Sequence, residues 1–196
     1  MKKIPTIFIR NPEAMRFVTE EWHPDCLWVR DREGKPTVKR DGTACLIRNN
    51  KLYKRYELKP GKAPPPEFEP AQDPDPNTGK QPGWVPVGEG PEDKWHREAH
   101  LGGEADGTYE LVGPKVQGNP EGFEKHHLLR HGAVEVKGLQ GPFLLTFAEI
   151  RDWLELVNDE GIVWHHPDGR MAKIKRRDFG FPWPVKVQDA SASADA

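Results

Sequence analysis

Residues 37–58 read TVKRDGTACLIRNNKLYKRYEL, short apolar or alternating runs separated by Asp41-Gly42 and Asn49-Asn50. Both pairs are turn formers, because Gly and Asn accept the positive φ values that tight reversals demand. The stretch therefore predicts a meander of antiparallel strands, with 38–47 folded around the first turn and 52–58 following the second. Lys39 falls at a strand end, directly before a Gly-containing turn. A lysine beside such a turn is common, so its meaning depends on the rest of the chain.

Working outward, apolar or alternating segments at 4–9, 26–29, 109–112, 133–136, 162–164 and 171–174 read as further strands bounded by Gly, Pro, Asn and Asp. One helix is well signalled: Thr146 caps it, Glu149 completes a capping box, and Ile150, Trp153, Leu154 and Val157 form an apolar stripe. A shorter helix is expected near 12–20. Residues 60–91 hold half of all the prolines and predict a long surface loop without regular structure. Residues 1–184 read as one catalytic domain containing that loop, and 185–196, rich in Ala, Ser and Asp, as a disordered tail.

The chain has 196 residues, with 35% hydrophobic and 31% charged positions, and its seven Trp and eight Phe argue for a folded core beneath polar loops. A formal charge of −2 excludes a general basic excess as the basis of nucleic-acid binding, so any phosphate contact must be local. Basic residues gather at 170–177 and 51–62; on charge alone such runs read as solvated faces. Cys26 and Cys45 are too few for a disulfide framework and lack zinc-site spacing, which fits a reducing cytoplasmic setting. No signal peptide or run of ~20 apolar residues is present, so a soluble protein is expected.

Five segments carry chemistry. Lys39-Arg40-Asp41-Gly42 comes first and Arg55 second. Third is Gly107-Thr108-Tyr109-Glu110-Leu111-Val112-Gly113, a carboxylate inside an apolar strand. An unpaired buried carboxylate costs several kcal/mol, so Glu110 needs a cation, a hydroxyl or a ligand. Fourth is Glu160, leading into Gly161-Ile162-Val163-Trp164. Fifth is Met171-Ala172-Lys173-Ile174-Lys175, where strand periodicity puts both lysines on one face. Two adjacent ammonium groups repel, and a polyphosphate between them would relieve that repulsion. Taken singly, each segment also fits an ordinary edge strand with a charged face.

In this order the segments resemble the covalent nucleotidyltransferase superfamily of DNA ligases, RNA ligases and mRNA capping enzymes. A closer similarity is to the 5′-to-3′ RNA ligase family, carried by KRDGTAC from Lys39, PGWVPV from Pro82, Lys94-Trp95-His96 and ELVGPKVQGNP from Glu110. It continues in Leu128-Leu129, His131-Gly132-Ala133, EGIVWH from Glu160, Asp168-Gly169 and Pro182-Trp183-Pro184, over about residues 4–184. The resemblance implies an α+β fold, an antiparallel-sheet nucleotidyltransferase (ATP-grasp-like ligase adenylation) domain with few helices. It implies an ATP-dependent RNA ligase, active in RNA repair, that stores AMP on Lys39, passes it to a 5′-phosphate and releases it as a 3′-hydroxyl attacks. Lys173 and Lys175 are then catalytic with Lys39. Arg55, Glu110, Val134 and Glu160 join these lysines in holding ATP, and Glu160 binds Mg2+ or Mn2+. RNA with 5′-phosphate and 3′-hydroxyl ends is the implied partner, DNA an alternative, and the chain a monomer without membrane contact.

At the adenine face, where relatives often place an aromatic ring, this chain has Val134, which offers apolar packing only. The chain stops soon after the fifth segment, so its own catalytic domain, with the proline-rich loop as a candidate aid, is expected to grip nucleic acid. Other readings are a capping-type guanylyltransferase, a DNA ligase, a nucleotide- or RNA-binding module without chemistry, and an enzyme transferring AMP to another protein. A zinc hydrolase built on His96 and His100 is disfavoured, because Arg97 stands where the helical motif needs Glu.

Overall fold

The computed structural model describes residues 2–139 and 144–185. Strands β1 (Phe8–Arg10) and β2 (Val18–Trp22) form an antiparallel ribbon, followed by a 3-10 turn at Pro24–Cys26 and the one-turn helix α1 (Leu27–Arg30). Then come β3 (Lys35–Lys39), β4 (Thr43–Arg48), β5 (Lys51–Leu58), β6 (Glu69–Pro70), β7 (Gln81–Pro86), α2 (Lys94–Ala99), β8 (Gly107–Val112) and β9 (His127–Arg130). The chain finishes with α3 (Phe147–Leu156), β10 (Gly161–His165), β11 (Met171–Lys175) and a 3-10 turn at Arg176–Phe179. Two larger sheets result, β11-β10-β3 and β6-β7-β5-β4-β8-β9, with antiparallel pairing throughout. This is an α+β fold with few helices. Among the described residues no helix is long and apolar enough to cross a membrane.

Alternation assigns a face to every strand residue. In the three-stranded sheet, Ile162, Trp164, Ala172 and Ile174 are buried against Ile150 and Leu154 of α3 and against Ile7, Phe8 and Trp28. The opposite face carries Thr37, Lys39, Val163, His165, Lys173 and Lys175. In the six-stranded sheet, Cys45, Ile47, Leu52, Tyr109 and Leu111 form a second core with Ala99 and Val116. Its other face carries Ala44, Glu110, Leu129, Arg55 and Trp84, by the pairings Ala44↔Glu110, Glu110↔Leu129 and Arg55↔Trp84. Helix α3 starts as expected: the Thr146 hydroxyl accepts from Glu149 N–H while the Glu149 carboxylate accepts from Thr146 N–H at 2.8 Å.

Several expectations are corrected. Residues 37–58 are not one meander. β4 and β5 do form a hairpin, with Asn49 and Asn50 at φ 52° and 58°, but β3 pairs with β10 in the other sheet. The chain changes sheets at residues 40–42, a crossing that local turn chemistry cannot distinguish from a hairpin. Residues 26–29 are 3-10 and helical, because four residues are too few to show a period and Pro24 at the first position favours a helical turn. Residues 12–20 make turns and enter β2, whose pairing with β1 overrides local helical tendency. The stretch at 133–136 is one isolated bridge, Thr37↔Glu135. Residues 60–91 contain β6 and β7. The prolines of β7 are tolerated since only Glu69 and Pro70 cover its outer side. Arg176, read as part of a solvated basic run, is 4% exposed and donates to the carbonyls of Leu154 and Val157 at the end of α3. Apart from Val185, the tail expected at 185–196 lies outside the described residues.

Candidate active site

The site faces of the two sheets enclose a cleft of about 470 Å³. Thr37, Lys39, Val163, His165 and Lys173 line one side; Ala44, Glu110, Leu128, Leu129 and Arg130 line the other. Residues 131–134 close the rim, tied to β3 by a hydrogen bond from Val38 N–H to the Val134 carbonyl at 2.9 Å. The size falls within the range of small-molecule pockets.

The register places Lys39 opposite Gly161 and Gly161 opposite Lys175, so the two lysines flank a residue without a side chain. Their backbones lie about 9–10 Å apart, two strand spacings. A Cβ on Gly161 would sit 2.1 Å from the Ile174 carbonyl oxygen, which leaves glycine as the residue that fits this midline. Glu160 bridges the gap: one oxygen bonds the Lys39 amine and the other lies 2.7 Å from Lys175 Nζ, with the residue 4% exposed. Lys39 also donates to the Arg40 carbonyl at 3.1 Å. One row along, Lys173 pairs with Val163. Burial, reinforced by Lys175 and Lys39, brings the Lys173 ammonium down from 10.5 to about 8. The arrangement is three cations around one buried carboxylate. An oxyanion entering the cleft would find more positive charge than Glu160 alone neutralises.

Across the cleft Glu110 is held on both oxygens. Oε1 accepts from Gly42 N–H at 3.0 Å and Oε2 lies 2.8 Å from His131 Nε2. Gly42 is itself confined, since a Cβ there would meet the Leu111 carbonyl oxygen at 2.1 Å. Val134 is half-exposed on the rim, able to offer an apolar surface to a planar ligand. Thus Lys39, Glu110, Val134 and Lys173 line the cleft together, while Glu160 and Lys175 adjoin it through Lys39. Arg55 does not line it. It stands further along the same sheet face, its guanidinium 5.2 Å from the Trp84 ring centroid.

Further polar groups surround the site: Glu121 and Trp183 were not singled out as site residues in the sequence, and His165, close to Glu160 in sequence, could be read either as a phosphate neighbour or as an exposed strand-end histidine. Glu121 accepts from Asp41 N–H at 3.0 Å and pairs with Arg40 Nη1 at 2.6 Å, and Trp183 Nε1 donates to Asp41 Oδ2 at 2.7 Å. His165 Nε2 lies 3.1 Å from the Thr37 hydroxyl; burial, with His131 and Lys35 nearby, pushes its pKa below the usual imidazole range. Phe123 adds an aromatic ring to the cleft lining. Their positions within resembling segments (Glu121 after GNP, Trp183 in PWP, His165 in EGIVWH) were the available signal. His96 is elsewhere, on α2, with Asp93 Oδ1 3.8 Å from its Nδ1. Among the described residues no group of three or more His, Cys, Asp or Glu is arranged to hold a metal by itself.

Comparison with known proteins converges on one description. A family model described as RNA ligase 1 matches residues 100–193, which include Glu110, Val134, Glu160, Lys173 and Lys175. RNA ligase 1 of Danio rerio is 37% identical over 86 residues, 40% of this chain and 26% of that protein; the Pongo abelii protein of that description is 36% identical over the same length. These alignments thus span about a quarter of each relative's length. RNA ligase 1 of Mus musculus is 25% identical over 270 positions, covering 94% of this chain and 82% of that protein.

Proposed function

We propose that this chain, which is similar over residues 100–193 to the RNA ligase 1 family model, is an ATP-dependent RNA ligase joining 5′-phosphate to 3′-hydroxyl ends through AMP held on Lys39. The observation that carries this reading is the Lys39 amine, bonded to Glu160 and flanked by Lys173 and Lys175 at a cleft of nucleotide size. A binding module has no need of a lysine so placed.

Only a neutral amine has a lone pair to attack with. Lys39 then forms a bond to the α-phosphorus of ATP as the bond to pyrophosphate oxygen breaks and the amine proton leaves to solvent. Lys173 and Lys175 stabilise charge on the phosphate oxygens and departing pyrophosphate. An RNA 5′-phosphate oxygen next takes AMP from Lys39, and the 3′-hydroxyl oxygen finally bonds that phosphate as AMP departs. Glu110, fixed by Gly42 and His131, is placed to accept from ribose hydroxyls, with Val134 against the base. Arg55, on the same sheet face beside Ala44, is assigned with Glu110 to the ribose hydroxyls or nearby phosphate.

Glu160, a hard oxygen donor now bonded through both oxygens to Lys39 and Lys175, would hold Mg2+ or Mn2+ in place of one of those contacts, together with phosphate and water. When bound, the ion supplies positive charge at the phosphates. The two cysteines, free and buried, suit the cytoplasm.

The test is incubation with ATP labelled at the α-phosphate and magnesium, followed by denaturing electrophoresis. An acid-labile label is expected on the wild-type chain and none on Lys39→Ala. Labelling by GTP instead would move the reading to a capping-type guanylyltransferase. Sealing of 5′-phosphorylated RNA, in parallel with DNA, then tests the substrate.

A further inference from the structure

The chain passes from β3 to β4, and so from one sheet to the other, in residues 40–42, and Lys39 immediately precedes this crossing. How the crossing is held therefore sets where the Lys39 amine points. Glu121 holds it at two places at once: Oε1 accepts from Asp41 N–H at 3.0 Å, and Oε2 lies 2.6 Å from Arg40 Nη1. Its side chain is 8% exposed, so little water competes for either contact. The same guanidinium nitrogen is 3.8 Å from Asp159 Oδ1, directly before Glu160 in sequence. One carboxylate thus restrains the residues following the nucleophile and, through Arg40, the approach to the carboxylate that the nucleophile bonds. Glu121 does not itself line the cleft, whereas Phe123, two residues on, does, which seats this loop against the site.

We infer that Glu121 is a positioning residue for nucleotidylation of Lys39, an inference that rests on the ligase reading above. The attack needs the amine in line with the departing pyrophosphate, and a displacement of about 1 Å lowers such a rate about 100-fold. The last step, joining an RNA end that already carries AMP, forms a bond from the 3′-hydroxyl oxygen to the 5′-phosphorus as the bond from that phosphorus to the AMP oxygen breaks and AMP leaves, and it breaks none to Lys39. Loss of positioning at Lys39 therefore slows the first reaction and spares the last. A side chain that merely stabilises the fold would affect both.

The experiment uses the full chain with Glu121→Ala and Glu121→Gln; Gln keeps an oxygen for Asp41 N–H and loses the ion pair with Arg40. Lysine labelling by α-labelled ATP is measured beside the joining of RNA synthesised with a 5′-adenylylated end, without ATP. Glu121→Ala is expected to lower kcat for labelling about 100-fold with KM for ATP within about threefold, and Glu121→Gln to lower it about tenfold. Both variants should join adenylylated RNA within about threefold of wild type. Should the alanine variant not fold, the glutamine variant decides alone. Unchanged labelling in the folded variants, or an equal fall in both reactions, overturns the inference. Absence of label on the wild-type chain removes the ligase reading and this inference with it, a separately readable result.

Discussion

Replacing Lys173 by methionine keeps a long unbranched side chain on β11 and removes one of three clustered cations. In the folded chain the Lys173 ammonium falls from 10.5 to about 8, first through burial and then through Lys175 and Lys39. At about 1.4 kcal/mol per pKa unit, charging this lysine costs the native state about 3 kcal/mol. The sign follows from proton binding. Below about pH 8 native and unfolded chains both carry the proton, and the native state bears the full cost. Between about 8 and 10.5 the unfolded chain binds more protons, so stability rises with pH, and above 10.5 the cost is gone. Lys173→Met should therefore be more stable than wild type by about 2–3 kcal/mol at pH 7, with the gain shrinking toward zero by about pH 10.5. Urea unfolding of both proteins at pH 7, 8, 9 and 10 without nucleotide measures this difference, in which other titrating groups largely cancel. Two parallel stability curves, or a methionine variant weaker at pH 7, would refute the picture of an uncompensated buried cation.

Glu160→Gln removes the acceptor shared by Lys39 and Lys175 while keeping its shape. The variant should lose about 2–4 kcal/mol of stability in urea, in the range for breaking a partly buried ion pair, and pyrophosphate should restore part of its melting temperature; a neutral melting profile would contradict the assigned bridge. Gly42→Ala puts a Cβ 2.1 Å from the Leu111 carbonyl and 2.8 Å from Glu110 Cγ. It is expected to cost about 1–3 kcal/mol through backbone displacement and to cut lysine labelling more than stability alone explains, and wild-type labelling would show that the crossing tolerates the methyl group.

Local signals carried much of the fold. The Thr146–Glu149 capping box needs contacts only three residues apart, and the Asn49–Asn50 turn is set by two backbone conformations. Alternation alone put Lys173 and Lys175 on one face and Ile174 on the other. What local signals lacked was the partner of β3: an Asp-Gly turn permits a hairpin, and only the pairing of residues 35–39 with 161–165 revealed the crossing between sheets. The strand at Gln81–Pro86 was hidden by its prolines, which edge-like cover makes acceptable. Of the side chains singled out in the sequence, Lys39, Glu110, Glu160, Lys173 and Lys175 are brought to one place, at strand ends or within strands whose alternation fixes their face. Arg55 is on the strand beside Ala44 but outside the cleft lining, since the order of segments does not say how far across a sheet each one lies. Glu121 and Trp183 act on Asp41 from 80 and 142 residues away, a relation that no window of sequence contains.

The joint between β3 and β4 has a mechanical corollary. Lys39 is fastened to one sheet and Glu110 to the other, so a nucleotide bound in the cleft, as proposed above, would grip both plates, much as a rivet does. On that proposal, filling the cleft would stiffen the molecule across that seam, and emptying it would let the plates relax.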